Sequence, residues 1–262
     1  MLIHAALEFP VWGDPNAPAH LHVAPEYLER AYEETATPNV VTAILADYRG
    51  YDTMFETAVI FSAGLACFFL LRTRSRKDPG DRFFRHLATD MVIRIQNPSM
   101  KIPDTPYLQP MDSFWTPRST IVRAASRVLA PFIQLYALYV VAHGHYSPGG
   151  GFQGGVILGA SFILIALSHD LRTCMRQTPE KLIGVLSPAG VLFYAGVGIL
   201  CVLAGGNFLD YGALAGWFGM AREAARSLGI LLVEMGVAAC VMATMVIIYA
   251  NLSSAGGHRQ GL

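Results

Sequence analysis

The sequence predicts an all-α membrane protein with about five transmembrane helices, and three observations carry that prediction. Of the 262 residues, 53% are hydrophobic and only 15% are charged. The mean hydropathy of +0.40 is likewise far from that of a soluble globular domain. Finally, the apolar residues are gathered into five stretches, each long enough or nearly long enough to cross roughly 30 Å of hydrocarbon.

The five predicted spans lie at about 54–71, 121–142, 154–171, 182–204 and 227–250. The third is the weakest, because its uninterrupted apolar part ends at Ser168 and it must borrow length from polar flanks. Lys and Arg are concentrated in the loops 72–118 and 169–181, and such residues favour the cytoplasmic side. We therefore expect the N-terminus outside and the C-terminus inside.

The spans divide the chain into three regions. Residues 1–77 contain a polar, proline-interrupted N-terminal segment, an amphipathic helix at 38–48 and one transmembrane helix, with Gly50 predicted to break the chain between the two helices. Residues 78–117 are rich in proline and charge and are predicted to form a cytoplasmic linker. Residues 118–262 are expected to form a four-helix membrane domain.

Several function classes are disfavoured by what the sequence lacks. Acidic and basic residues balance at 19 each, so no strongly basic surface indicates a nucleic-acid partner. The four cysteines show no CxxC spacing, and three lie inside apolar runs, where packing is the simpler role. No nucleophile with an oriented base, metal-ligand cluster or cofactor fingerprint emerges, so we predict no catalytic residues, no metal and no cofactor.

A glycine-rich loop, HGHYSPGGGFQGG at 143–155, is the most unusual motif. It lacks the Lys and the following Ser or Thr of a phosphate-binding loop, and a metal site at His143 and His145 would need further ligands. Imidazole groups in general exchange protons near neutral pH, so both histidines are candidates for proton handling, but close helix packing is the favoured interpretation. The predicted packing glycines are Gly149, Gly150, Gly151, Gly154, Gly155 and Gly159, the last two forming a GxxxG face.

Glu234 is the clearest candidate for an ion path, because it lies well inside the fifth span. A charge in lipid costs at least about 2.5 kcal/mol and therefore needs a reason. One interpretation is a hydrogen bond that fixes helix packing. The other is a relay carboxylate on a proton or sodium path.

A second set of charged residues precedes the first span. Asp52 and Glu56 are four residues apart and share a helix face, close to Asp47 and Arg49. Polar residues at a helix break can build an ion site. The plainer interpretation, which we favour, is that Asp47, Arg49 and Asp52 neutralise one another at the membrane interface.

Two stretches resemble known families. HGHYSPGGGFQGGVILGASFILI, with VEMGVAACVMATMVIIY in the last helix, resembles the B subunit of Mrp- or Mnh-type multisubunit Na+/H+ antiporters, over about 118–252, and its counterpart in membrane-bound hydrogenases. TPNVVTAILADYRGYDTMFETAVI at 37–60 resembles the C-terminal part of the large A subunit of the antiporters, over about 37–77, which is a separate small protein in the hydrogenases. The further membrane helix that usually precedes this piece has no equivalent in the polar segment 1–34.

The resemblance implies a non-catalytic membrane subunit of a Mrp-type Na+/H+ antiporter complex in the plasma or inner membrane, which braces or completes an ion path for sodium and protons. Its partners would be other membrane subunits and the lipid bilayer. One alternative is the same module in a redox-driven complex such as a membrane-bound hydrogenase or a complex I relative. Another is a purely structural membrane scaffold.

Overall fold

The protein is predominantly helical, with a small sheet between its first and second membrane helices. The structure, a computed structural model, describes residues 7, 9–73, 82–89, 91–95, 105–111 and 119–254. Its helices are α1 (Ala24–Thr35), α2 (Val40–Ala43), α3 (Gly50–Thr73), α4 (Thr120–Ala142), α5 (Gly151–Ser168), α6 (Leu171–Gln177), α7 (Glu180–Leu203), α8 (Ala215–Phe218) and α9 (Arg222–Ser253). Short π-helical segments precede α1 (Ala19–Val23) and follow α2 (Ile44–Tyr48), and a 3-10 helix (Tyr211–Leu214) precedes α8.

Five of these helices, α3, α4, α5, α7 and α9, are long and apolar enough to cross a membrane, which confirms the predicted number of spans. The third span is short, as expected, with 18 residues or about 27 Å. It gains its length at the N-terminal side, because the helix already begins at Gly151 within the glycine-rich loop.

The longest helix, α9, lies at the centre of the membrane group. It has 32 residues, about 48 Å, and packs against α3, α5 and α7. By contrast, much of α3 and α4 is exposed in the isolated chain. Only 11% and 22%, respectively, of the residues in their most apolar stretches are buried. The protein therefore has a well-packed centre and two helices whose outer faces are open to lipid or to other subunits.

Residues 24–49, which precede the first membrane helix and are called the first segment below, pack against the central membrane helices. Asn39 caps α2 by accepting a hydrogen bond from the N–H of Val41, and the helical segment then continues to Tyr48. The helical segment ends at Tyr48 and α3 begins at Gly50, so the chain breaks at Arg49, one residue before the predicted position. Ala46 packs with Tyr194 of α7 and Val233 of α9 in one buried cluster, which joins the first segment to the C-terminal helices.

The linker region contains three short strands, β1 (Arg82–His86), β2 (Val92–Ile95) and β3 (Leu108–Met111), in the antiparallel order β2-β1-β3. The purely helical prediction did not include them. Phe84 pairs with Ile93 on one side and with Pro110 on the other, in keeping with the preference of aromatic and β-branched residues for strands and of proline for edge strands.

Candidate functional site

Glu234 lies about 18 Å along α9 and is 8% exposed. Its side chain points at the glycine-rich loop, so two features that were separate in the sequence form one site. A methyl group added at Gly144 would lie 3.1 Å from Glu234 Oε2, and one added at Gly150 would lie 2.6 Å from Oε1. The loop residues facing the carboxylate are therefore glycines because a side chain would occupy the space that the carboxylate fills.

The carboxylate lies at the N-terminus of α5. Gly150 is the N-cap, with φ of 129°, a conformation that side chains other than hydrogen rarely tolerate. The backbone N–H of Gly151, the next residue, lies close enough to the Glu234 carboxylate to stabilise its charged form. The exposed amides and the dipole at a helix N-terminus favour an anion in this place.

One oxygen of the carboxylate is left over. Glu234 Oε2 is buried and has no hydrogen-bond partner among the residues that the structure describes. Buried polar atoms are nearly always hydrogen-bonded, so an unpaired carboxylate oxygen marks a place for a proton, a water molecule or a cation. Within the described ranges there is no group of three or more His, Cys, Asp or Glu residues that could hold a metal ion.

The loop that covers the carboxylate, residues 143–150 and hereafter the covering loop, is held by the first segment of the chain. Asn39 Nδ2 donates to the carbonyls of Gly144 at 2.8 Å and Ser147 at 2.7 Å, and its backbone N–H donates to the carbonyl of His145 at 2.9 Å. The Thr42 hydroxyl donates to the same Gly144 carbonyl at 2.8 Å.

A cluster of charged and hydroxyl groups, the junction cluster, lies nearer the start of α9. Arg226 donates to both oxygens of Asp47, at 2.6 Å and 2.9 Å, and to Glu34 at 3.3 Å. Tyr48 donates its phenolic hydrogen to Glu34 at 2.7 Å, and the Arg226 guanidinium lies 5.5 Å from the centre of the Tyr48 ring. These four residues join the first segment to α9.

The hydrogen bond from Tyr48 and the nearby Arg226 hold the pKa of Glu34 below its ordinary value. Burial and the hydrogen bond to Glu34 raise the pKa of Tyr48. At neutral pH the junction cluster therefore contains a carboxylate and a neutral phenol.

The charged residues before α3 separate into two groups, which corrects the favoured interpretation that Asp47, Arg49 and Asp52 neutralise one another. Arg49 does pair with Asp52 at 2.6 Å, in an exposed ion pair. Asp47 instead pairs with Arg226, because the helical turn that ends at Tyr48 directs it towards α9. Glu56 is exposed on α3.

The two loop histidines occupy different surroundings. His145 is 7% exposed, and its Nε2 donates to the carbonyl of Ser227 on α9 at 2.9 Å. His143 is half-buried, stacked on Tyr139 with ring centres 4.6 Å apart and close to Tyr146. Thus His145 ties the covering loop to α9, whereas His143 belongs to an aromatic stack.

The glycines of α5 face two neighbouring helices. A methyl group at Gly151 would collide with the backbone of Glu234, and one at Gly155 would lie 2.8 Å from the carbonyl oxygen of Ala238. At Gly159 the nearest atom is Met245 Cβ, at 3.2 Å, while Gly154 faces Ala137 and Val141 of α4. Gly149 packs against Val140. Close helix approach accounts for these residues.

Sequence reasoning missed Glu34, Asn39, Thr42 and Arg226. Arg226 was the one with a usable signal, because a charge in the first turns of a long apolar helix requires a partner. Asn39 had no signal of its own: a capping residue before a short helix does not indicate that its amide group binds a loop more than a hundred residues away.

Each of the two parts of the chain matches a known protein family. Residues 121–247 match the model of a domain related to the MnhB subunit of Na+/H+ antiporter. Residues 4–81 match the model of the E subunit of MBH. The two matches are separated by most of the linker.

Two curated relatives show how the pieces are distributed. The chain is 34% identical over 151 residues to a probable K(+)/H(+) antiporter A/B subunit of Rhizobium meliloti (strain 1021), covering 57% of this chain and 14% of that protein. It is 30% identical over 131 residues to the B subunit of the Na(+)/H(+) antiporter of Bacillus subtilis (strain 168), covering 48% of this chain and 91% of that protein. It thus spans a small part of the first relative and nearly all of the second.

Two solved structures share the fold. The structure of the membrane-bound sulfane sulfur reductase, an archaeal respiratory membrane complex, aligns with a TM-score of 0.64 and 24% identity over 96% of this chain and 91% of the matched chain. The Mrp complex from Dietzia sp. DQ12-45-1b aligns with a TM-score of 0.57 and 25% identity over 93% of this chain and 24% of the matched chain. The chain belongs to the family of MnhB-related subunits of Na+/H+ antiporters, and its N-terminal segment is similar to the E subunit of MBH.

Proposed function

We propose that this chain is a non-catalytic membrane subunit of a Mrp-type multisubunit cation/proton antiporter complex, with sodium as the cation, and that Glu234 is part of the ion path. The observation that carries the proposal is the buried Glu234 carboxylate, which has one oxygen near the N-terminus of α5 and the other without a partner among the described residues. A carboxylate that only fixed helix packing would be expected to have both oxygens hydrogen-bonded.

The surroundings of Glu234 suit a group that binds and releases a cation. The α5 N-terminus favours the charged carboxylate, whereas burial favours the neutral acid. Each of the two forms of the carboxyl group is therefore favoured by one feature of the site. Carboxylate oxygens are also suitable ligands for hard cations.

The rest of the chain supports assembly. The outer faces of α3 and α4 are apolar and exposed in the isolated chain, so they are available to neighbouring membrane subunits and lipid. Asp52 and Glu56 lie on or beside this open face of α3 and are secondary candidates for an ion route that continues into a neighbouring protein of the complex. The distribution of Lys and Arg supports an orientation in the cell membrane with the N-terminus outside and the C-terminus inside.

The proposal is tested by replacing Glu234 with Gln in the assembled complex. In membrane vesicles with an imposed pH gradient, Glu234→Gln is expected to reduce sodium/proton exchange at least tenfold, because the amide keeps the shape of the side chain but cannot exchange a proton. Glu234→Asp should keep part of the activity. Glu223→Gln, at an exposed acid in the first turn of the same helix, is the matched control and should exchange at the wild-type rate.

Wild-type exchange by a fully assembled Glu234→Gln complex would remove Glu234 from the ion path. It would leave this chain with a structural role.

A second candidate is the same module within a redox-driven membrane complex. The match of residues 4–81 to the E subunit of MBH favours it. The two functions differ in their energy source. Exchange driven by a pH gradient alone, without an electron donor, favours the antiporter; ion movement that starts only when an electron donor is added favours the redox-driven complex.

A further inference from the structure

Asn39 makes more contacts with the covering loop than any function of its own helix requires. Its Nδ2 group donates to two carbonyls of the loop, those of Gly144 and Ser147, and also to the Thr42 hydroxyl at 3.0 Å. Its backbone N–H donates to a third loop carbonyl, that of His145. Its Oδ1 separately caps α2 at Val41. The side chain therefore has two roles that involve different atoms.

The contact at Gly144 leads directly to the carboxylate. The carbonyl of Gly144 receives hydrogen bonds from Asn39 and Thr42, while the Cα of the same residue faces Glu234 Oε2. A single glycine therefore separates the donors of the first segment from the carboxylate of α9. A displacement of Gly144 would open or close the space around Oε2.

The other attachments of the covering loop are to α9 and to the end of α4. The imidazole of His145 binds the carbonyl of Ser227, and the N–H of Gly150 donates to the carbonyl of Val140 at 3.3 Å. These bonds fix the middle and the end of the loop. The bonds from Asn39 and Thr42 fix the residue that lies over Glu234.

We propose that Asn39, assisted by Thr42, is a positioning residue that holds the covering loop closed over the Glu234 carboxylate, so that the MBH-like first segment controls access to the acid in the MnhB-like domain. The importance of this for exchange rests on the function proposed for Glu234. The contacts themselves join two segments that match different family models.

The simplest competing role for Asn39 is to cap α2. Asn39→Asp separates the two roles, because aspartate has the same shape and is an equally good N-cap but has no hydrogens to donate. Its charge also repels the loop carbonyls. The variant should keep the helix and release the loop.

Access to Glu234 is measured with a hydrophobic carbodiimide, which reacts with protonated carboxyl groups in apolar surroundings, followed by mass spectrometry of the modified peptide. The purified complex containing the full chain is labelled at one fixed pH. We expect Asn39→Asp to label Glu234 roughly tenfold faster than wild type, the population change that the loss of one or two ordinary hydrogen bonds would produce.

Thr42 supplies a matched pair of variants. Thr42→Val removes the hydroxyl that binds Gly144 at nearly constant volume and should give an intermediate rate of about threefold over wild type. Thr42→Ser keeps the donor and should label at the wild-type rate. A role of Thr42 in packing alone would give the opposite order, since Ser loses a methyl group that Val retains.

Labelling of Glu234 at the wild-type rate in both Asn39→Asp and Thr42→Val overturns the proposal. If Asn39→Asp fails to assemble, the Thr42 pair decides the outcome by itself. The result is independent of the proposed function: faster labelling together with wild-type exchange by Glu234→Gln would keep Asn39 as a positioning residue and remove Glu234 from transport.

Discussion

The two parts of α9 on either side of Glu234 make contacts of different kinds. Before Glu234 the helix combines the apolar packing of Ile230 and Val233 with polar contacts. Arg226 donates to Asp47, and the carbonyl of Ser227 accepts a hydrogen bond from His145. After Glu234 it packs through small residues, with Gly236 against Gly190 of α7 and Ala238 against Gly155 of α5. The hydroxyl oxygens of Ser187 and Thr244 are 2.7 Å apart, which adds a hydrogen bond between α7 and this second part of α9.

The difference indicates a division of roles along one helix. Close backbone approach needs little side-chain freedom and gives rigid packing, which suits the part that holds α5, α7 and α9 together. Polar contacts at the other end connect α9 to the first segment and to the covering loop, which lies against Glu234. We expect substitutions after Glu234 to impair assembly of the complex. Substitutions before Glu234 should lower stability moderately and change the surroundings of the Glu234 carboxylate.

The largest effect is expected in the packed part, at Gly155. Gly155→Leu places a side chain where the carbonyl of Ala238 is 2.8 Å from the first added carbon, and the backbone cannot move aside without separating the helices. We expect destabilisation by about 3 kcal/mol, the upper end of the usual cost of overpacking, and loss of the assembled complex on size-exclusion chromatography. Gly159→Leu should be milder, because the first added carbon would lie 3.2 Å from its nearest neighbour, Met245 Cβ, which is a wider approach than at Gly155.

Gly196→Leu on α7 is the control for that experiment, because no atom lies within 4 Å of a carbon added there. A normal yield of Gly155→Leu complex would show that α5 and α9 do not approach as closely as described.

A smaller effect is expected in the polar part, at Arg226. Arg226→Gln leaves Asp47, whose side chain is only 9% exposed, without a charged partner, and such a loss costs about 3 kcal/mol. The melting temperature of the complex in detergent should fall. Arg222→Gln, one turn earlier, removes an exposed pair with Asp210 at 3.6 Å and should change stability by less than about 1 kcal/mol. Equal melting temperatures for the two variants would contradict the buried role of Arg226.

The smallest effect is expected at Glu34 and depends on pH. Because its pKa is lowered in the folded protein, Glu34 contributes stability above the ordinary carboxyl pKa and loses that contribution as the pH falls through its folded value. Its side chain is 35% exposed, so Glu34→Gln should cost no more than about 1 kcal/mol at pH 7. The difference in melting temperature from wild type should shrink as the pH falls below the ordinary glutamate pKa of about 4.3, and it should disappear once the pH is below the lowered pKa of Glu34.

Glu26→Gln is the control at an exposed acid paired with Arg30 on α1 and should melt like wild type at every pH. A difference between Glu34→Gln and wild type that does not shrink as the pH falls below about 4.3 would show that the side chain's shape, not its charge, matters.

The membrane helices could be predicted because lipid requires long apolar segments whose backbone hydrogen bonds are internal. Each such segment can be identified from its own sequence. The packing role of Gly155 and Gly159 followed from the same local reasoning. The strand Arg82–His86 did not, since five residues between charged and proline-rich stretches give too little alternation to identify.

The composition of the site could be predicted only in part. Glu234 and the glycines were recognised separately, but nothing in either stretch indicates that Gly144 and Gly150 face the carboxylate. The pairing of Asp47 with Arg226 joins residues 179 positions apart. The sequence instead favoured Arg49 as the partner, because it is only two residues from Asp47. Tertiary contacts of this kind depend on how helices cross, which a single sequence does not specify.

Both sides of the contact between the first segment and α9 are carried by one polypeptide. Tethering raises the effective concentration of one side near the other to the order of millimolar, so hydrogen bonds and ion pairs of modest individual strength are enough to keep them associated. It also fixes their ratio at one to one during synthesis and insertion. Every complex that contains this chain therefore has one first segment for each covering loop.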